Sequence, residues 1–396
     1  MHEDPVETCF ISASSSSSIK VVSVFFNLLL NALLPGISKL FALVLWSVDI
    51  TADWTAQSWI LKSSANLIPM LRVWNFQYAQ HSPTPPLMRA LDFQRLYTNI
   101  NTNDMRSSIY SIIQSIFALP EHSTKHHVGI RVWQTKPAVW LTQNQMPAND
   151  QSRSGTGHGG AFMIFDLPTI QLWLSFLLDN MYVTFGGQLQ RQIRGTPMGT
   201  NCASNLANFY LSHYELNFLL NVTNMHKTSA IDGALPSPDL HCVTLQVTQA
   251  FLLTKRYIDD LFSMNNPYIL HLLYTDQHCY HPGLHGIYPR SLLVSVADVG
   301  TSVDYMDMTI LPVVGHSQRV TTVLYDKREH GRLASLFIVK YPHISSKISD
   351  SAKYGIITSQ FHRYRRIIIC FGTTSPSGWQ LSLTPCAIRD MTVPAC

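Results

Sequence analysis

Lys255-Arg256-Tyr257-Ile258-Asp259-Asp260-Leu261-Phe262 is the stretch on which the reading of the whole chain turns. Two adjacent carboxylates follow an aromatic and an aliphatic residue and precede two apolar ones. Neighbouring carboxylates repel, so one of them holds a proton or a cation holds both. A hairpin turn between two short strands would aim both at one point. Magnesium is the hard cation that oxygen ligands suit there, with phosphate oxygens completing its shell. A solvated surface turn can carry the same residues. The metal reading therefore needs a third carboxylate and a cradle for a substrate, and a candidate for each lies upstream.

The carboxylate is Asp92, in Leu91-Asp92-Phe93-Gln94-Arg95-Leu96-Tyr97-Thr98-Asn99-Ile100. A mostly apolar run ends at this Asp, turns polar, and reads as helical from Asp104 onward. An Asp at the C-terminal end of a strand, beside a turn, is well placed to bind a metal; capping of the next helix is the alternative. Tyr97, five residues on, can return toward the same pocket. The cradle is Gly195-Thr196-Pro197-Met198-Gly199-Thr200, a tight loop whose small residues let a flat base or a sugar approach the backbone. Arg191 and Arg194 flank it as phosphate partners, and a plain Gly-Pro turn is the alternative. A helix through Leu206, Phe209, Tyr210 and Tyr214 to about Leu220 follows.

The chain has 396 residues, enough for one large core or several lobes. Only 13% of residues are charged and the net charge is +4, so any affinity for nucleic acid must come from local basic patches. The seven Cys include no C-x-x-C pair, the pattern of a reduced intracellular protein without a structural zinc site. Basic residues concentrate late: ten Lys and Arg face three Asp and Glu between 315 and 372. Tyr341, Tyr354, Phe361 and Tyr364 interleave with them, a pattern that suits a nucleic-acid backbone track.

From Val21 to Ser38 there is no charge, which suggests a membrane span. Asn27, Asn31, the Pro35-Gly36 pair and Lys39 argue instead for two buried core helices split at Pro35-Gly36. Residues 11–18 form a polar Ser run. Residues 53–80 read as helical with an interruption near Pro69, and Trp54, Trp59, Ile60, Leu61 and Leu67 are candidate buried residues. Residues 120–160 read as irregular, with His122, His126 and His127 at the surface. Gly155-Thr156-Gly157-His158-Gly159-Gly160 fits G-x-G-x-x-G but lacks a preceding strand and a following helix, so a flexible insertion is expected. A strand edge and a helix over 170–181 come next. Residues 221–250, with Pro236 and Pro238, read as a variable loop. His278, His281 and His285 only loosely resemble metal spacing. Two strands are expected over 306–314 and 319–325, around Gly315-His316-Ser317.

Asp92, the Gly195–Gly199 loop and Tyr257-Ile258-Asp259-Asp260 occur in the order of a template-dependent polymerase palm. With these residues the sequence resembles reverse transcriptases of the Penelope-like retroelement family, relatives of the telomerase catalytic subunit. Ala207-Asn208, Val323-Leu324-Tyr325-Asp326-Lys327-Arg328, Tyr341-Pro342-His343 and Tyr354-Gly355 to Ser359-Gln360 add to the likeness, which covers roughly 10–369. It implies an α+β right-hand polymerase fold: partial fingers and apolar helices over 1–86, and a palm with an antiparallel sheet over 87–340. The palm would carry insertions at about 120–160 and 221–250. A partial thumb over 341–372 and a disordered tail over 373–396 would follow. Phe10-Ile11-Ser12-Ala13-Ser14 resembles the fingers segment, although Thr8 and Cys9 stand where the family usually has a basic residue. The chain is thus expected to be truncated at both ends.

The resemblance also implies a function: RNA-directed DNA polymerisation by a retroelement enzyme, on an RNA template and a DNA primer, from dNTPs, inside the cell and in the nucleus. No membrane partner is expected. Two Mg2+ ions, or Mn2+ in their place, would be held by Asp92, Asp259 and Asp260, the first two bridging both ions. Phe93, Tyr97, Pro197, Met198, Gly199 and Lys327 would meet the nucleotide, with Tyr97 blocking a ribose 2′-hydroxyl. Arg194, Tyr257, Arg328, Lys340, Arg363, Arg365 and Arg366 would meet nucleic acid. The alternative is a catalytically inactive remnant that at most binds nucleic acid.

Overall fold

Helix α1, Lys20–Trp46, is a single helix in the computed structural model, which describes residues 19–49, 58–80, 82–131, 139–142, 162–185, 188–196, 199–231, 238–276, 283–326 and 345–369. The expected break at Pro35-Gly36 does not occur. Pro35 sits on the exposed side and forfeits one backbone hydrogen bond. Burial of Phe26, Leu29, Leu30, Leu33, Ile37 and Phe41 along the opposite face outweighs that loss. Gly36 permits the close approach: a Cβ there would lie 2.5 Å from Ile116 Cγ2. By length and composition α1 could cross a membrane, yet its apolar stripe packs on other helices of the same chain.

A 3-10 turn, Ser64–Leu67, leads into α2, Ile68–Val73, and a π-helical turn, Trp74–Tyr78. Pro69 lies in the first turn of α2, where its missing N–H is harmless, so it starts a helix rather than interrupting one. Strand β1 is Met88–Phe93, followed by the short α3, Leu96–Asn99, and α4, Thr102–Phe117. The Asn101 side chain caps α4 by accepting from the N–H groups of Asn103 and Asp104.

Strands β2 (His127–Arg131), β3 (Val139–Leu141) and β4 (Phe162–Phe165) form an antiparallel sheet in the order β3-β2-β4. Two of its strands lie inside the stretch expected to be irregular. Val128 and Ile130 alternate into the core, a period too short to stand out among polar neighbours. His122 is also a core residue rather than a surface one. Its ring stacks on Trp140 at 3.6 Å, and its Nε2 lies 3.2 Å from Glu121. Helix α5, Leu167–Asp179, and the hairpin β5 (Tyr182–Phe185) and β6 (Gln188–Arg191) follow.

Helices α6, Ala203–Ile231, and α7, Pro238–Phe251, pack together across the region expected to be a loop. Pro238 opens α7 for the same reason that Pro69 is tolerated in α2. Strands β7 (Thr254–Tyr257), β8 (Asp260–Met264) and β9 (Val294–Gly300) join β1 in a four-stranded antiparallel sheet, order β7-β8-β1-β9. Strands β10 (Val303–Tyr305), β11 (Met308–Val313) and β12 (His316–Leu324) make a third sheet, and α8 is Asp350–Ile367. The pair expected over 306–314 and 319–325 thus occurs with shifted ends.

The centre of the four-stranded sheet, β1 and β8, is packed on both faces, while the edge strand β9 stays partly exposed. Leu91, Phe93 and Leu261 join a core with α1, α4, α5 and α6. Met88, Ala90, Phe262 and Met264 join a second core with α2 and β10–β12. This is the two-residue alternation of strands read directly in burial. The Ser run, Trp54, Phe10–Ser14, Gly155–Gly160, His278, His281, Tyr341–His343 and the tail over 373–396 lie outside the described residues.

Candidate active site

Asp92 stands opposite Asp260 across the β1–β8 ladder. The Phe93 N–H donates to the Asp259 carbonyl at 3.0 Å, which makes Phe93 and Asp259 a hydrogen-bonded pair. The next pair along, Asp92 and Asp260, is therefore a non-hydrogen-bonded one, with alpha carbons about 4.5 Å apart and side chains on one face. That face is the one carrying Met88, Ala90, Phe262 and Met264, so the two carboxylates continue an apolar row to the sheet's end. All three Asp are partly exposed there. The register thus sets Asp260 opposite Asp92, while Asp259 occupies the turn.

That turn is a two-residue loop, because Tyr257 pairs with Asp260. Ile258, its first residue, has φ +54°, where such hairpins ordinarily place glycine. A β-branched side chain in this region costs roughly 1–3 kcal/mol and persists only where its surroundings hold it. The surroundings here are Arg256, which is fully buried and donates from one guanidinium nitrogen to both the Ile258 carbonyl and Asn208 Oδ1, at 2.9 Å each. Arg256 Nε meets buried Glu215 at 2.5 Å, and the Tyr288 hydroxyl donates to the same carboxylate at 2.9 Å. Burial alone would pull the Arg256 pKa down, but Glu215 outweighs it and holds the guanidinium charged. Burial, then Glu215, lifts the Tyr288 hydroxyl well above its usual range. From the other side, the Tyr305 hydroxyl donates to the Asp260 carbonyl at 2.9 Å.

The cradle loop docks on the segment after β1. The Gly195 N–H donates to the Ile100 carbonyl and the Thr196 N–H to the Tyr97 carbonyl, both at 2.8 Å. Gly195 has φ +70°, and a Cβ there would fall 1.8 Å from the Tyr97 carbonyl oxygen, so only glycine fits. The buried Thr196 and Thr200 hydroxyls bracket the loop and have no hydrogen-bond partner among the described residues. Tyr97 is half-buried. Burial pushes its hydroxyl up to about 12, and the Asp259 charge adds to the rise. Three segments far apart in sequence therefore meet at one end of the four-stranded sheet.

The structure brings together Asp92, Tyr97, Asp259 and Asp260, with Gly195 beside them. Phe93 is different: its ring is buried edge-on against Tyr288 at 4.8 Å, so the side chain belongs to the core and not to a nucleotide pocket. Arg194 and Gly199 are exposed, and Tyr257 is partly so. On α8, Arg365 and Arg366 are exposed, while Arg363 pairs with Asp307 at 2.9 Å. Pro197, Met198, Lys327, Arg328 and Lys340 lie outside the described residues. Arg256, Glu215 and Tyr288 were missed in the sequence, because a basic residue before a strand end reads as a solvated charge.

Asp92, Asp259 and Asp260 offer hard carboxylate oxygens and no soft donor, a set that fits Mg2+ or Mn2+. Among the described residues no group of three His, Cys, Asp or Glu is already gathered as a metal cage.

No protein-family model matches the sequence, and no curated protein matches it. Among solved structures, the chain is similar to telomerase from Candida albicans in complex with a TWJ fragment of telomeric RNA. That likeness has a TM-score of 0.39 and 11% identity, over 73% of this chain and 39% of the other. Apo telomerase from Candida tropicalis gives 0.38 and 11%, over 74% and 40%. The C. tropicalis enzyme with the TWJ fragment of telomeric RNA gives 0.36 and 12%, over 76% and 39%. The chain thus spans about two fifths of those proteins. Likeness at these scores assigns no residue a role.

Proposed function

We propose that the chain is the core of an RNA-directed DNA polymerase resembling the Penelope-like reverse transcriptases, and that it joins a dNTP to a primer 3′-hydroxyl. The observation that carries this reading is the placement of Asp92 and Asp260 as a non-hydrogen-bonded cross-strand pair, with Asp259 in the adjoining turn. In this reading the β7-β8-β1-β9 sheet is the palm, residues 1–86 supply part of the fingers and 341–372 part of the thumb. RNA template and DNA primer are its partners, and the nucleus is its place of work.

Asp92, Asp259 and Asp260 would hold the metal. When bound, Mg2+ or Mn2+ neutralises the triphosphate and lowers the pKa of the 3′-hydroxyl. Tyr97, half-buried beside Asp259, would exclude a ribose 2′-hydroxyl. The Gly195–Gly199 backbone would let the nucleotide or template approach closely. Arg194, Tyr257, Lys340, Arg363, Arg365 and Arg366, with Arg328, would follow the duplex by its phosphates, which positions it without reading sequence. Lys327 would contact the triphosphate.

Primer extension on poly(rA)–oligo(dT), with dTTP and Mg2+, tests the reading. The wild-type chain is expected to extend the primer. Asp259→Asn, which keeps shape and removes charge, should lose roughly 10²-fold or more of that rate. Its duplex binding in a filter assay should stay near wild type. Tyr97→Ala should raise ribonucleotide incorporation in the same assay. A variant that extends as well as wild type refutes the assignment. A wild type that binds duplex in a salt-sensitive way but never extends marks the inactive remnant instead.

A further inference from the structure

Ile258 and Asp259 form a loop that the sequence alone does not favour. Isoleucine takes a left-handed backbone where glycine would sit without strain, and the loop carries one of the three carboxylates. One hydrogen bond from Arg256 reaches the loop, and several others hold Arg256 itself. Arg256 donates to the Ile258 carbonyl at 2.9 Å and, from the same nitrogen, to Asn208 Oδ1 at 2.9 Å. The opposite side of the guanidinium meets Glu215 at 2.5 Å through Nε and at 3.3 Å through its second terminal nitrogen. That second nitrogen also reaches the Asn208 carbonyl at 3.4 Å. Asn208 and Glu215 both belong to α6, whose first turn begins just after the Gly195–Gly199 loop. One buried side chain therefore ties the carboxylate turn to the helix that carries the cradle loop.

We infer that Arg256 is a positioning residue: it fixes the strained Ile258–Asp259 turn against α6 and so sets the placement of Asp259 and Asp260 relative to the cradle loop. The chemistry favours arginine for this task. A planar guanidinium can serve the carboxylate with one edge and the turn carbonyl with the other, whereas an ammonium is a point donor that cannot span both. A purely structural role for the pair predicts something else. A buried ion pair contributes little net stability, and its replacement by apolar residues of similar size is often neutral or better for folding. The fold is therefore expected to survive the loss of this pair, and the turn is not.

The inference rests on the polymerase reading only for its kinetic consequence, so the test has two parts. The first is amide hydrogen exchange on the full chain without metal or nucleic acid, comparing wild type, Arg256→Lys and the double variant R256M/E215L. Exchange in a peptide covering 256–262 should rise at least about tenfold in both variants, while peptides from α6 and the melting temperature stay close to wild type. The second is primer extension under single-turnover conditions. Both variants should lose kcat by roughly 10²-fold, the scale of a 1 Å misplacement, with KM for dTTP nearly unchanged. Unchanged exchange at 256–262 in both folded variants overturns the inference. So does raised exchange in variants that keep wild-type kcat. If the wild type shows no extension, the polymerase reading falls, and the exchange result still decides whether Arg256 holds the turn. Should R256M/E215L fail to fold, Arg256→Lys, which retains the charge beside Glu215, decides alone.

Discussion

Lys255 and Arg256 are adjacent, both buried, and solved differently. Arg256 faces a carboxylate at contact distance, whereas the Lys255 ammonium donates to the Ser58 carbonyl at 3.2 Å. Burial pulls the Lys255 pKa from 10.5 down to about 8, and the Glu215 charge only partly offsets it. The folded chain thus releases this proton near pH 8, whereas the unfolded chain keeps it to about 10.5. Between those values the unfolded state binds more protons, so this site favours folding increasingly as pH rises. Below pH 8 its full penalty is present. Lys255→Met removes the charge and with it the penalty. Its stability advantage over wild type should therefore shrink between pH 7 and pH 10.5, by at most roughly 3 kcal/mol for a gap of this size. Urea titrations of both proteins at several pH values give the answer, and a difference independent of pH would show that Lys255 is not desolvated as the structure has it.

At the scale of elements, a proline in a helix has different consequences according to its position. Pro69 and Pro238 lie in first turns, where no backbone partner is lost. Pro35 lies inside α1, on its exposed side, and leaves the Asn31 carbonyl without its helical donor. Pro35→Ala should restore that bond without touching the buried stripe, and should stabilise the chain by about 1–3 kcal/mol. Pro238→Ala should be close to neutral. Thermal melts of the two variants measure the contrast. A Pro35→Ala protein no more stable than wild type would mean that the missing backbone bond costs α1 nothing in this packing.

At the scale of the whole molecule, α1 decides how an apolar 27-residue helix is used. Its stripe of Phe26, Leu29, Leu30, Leu33, Ile37 and Phe41 is built into the core shared with α4, α5 and α6. Pulling it into a bilayer would strip that core of a wall. The expressed chain should therefore be released from membranes by alkaline carbonate. Carbonate-resistant association, with α1 protected from proteolysis, would overturn the packing.

Much of the site was legible in the sequence because its signals are local. An apolar run ending in Asp92 and small residues around Gly195 each follow from backbone preference within a few residues. What only the tertiary structure decided is everything that depends on distant partners. The register that sets Asp260 opposite Asp92 depends on pairing strands about 170 residues apart. Phe93 goes to the core because the same alternation that keeps Asp92 on the face of Met88 and Ala90 aims its neighbour at Tyr288. The continuity of α1 through Pro35 depends on burying the stripe from Phe26 to Phe41 against α4 and α6. Arg256 reads as one more surface charge until Glu215, 41 positions earlier, is found against it in a place without water. Local preference fixes which residues can form a turn; desolvated contact between distant segments fixes what that turn can hold still.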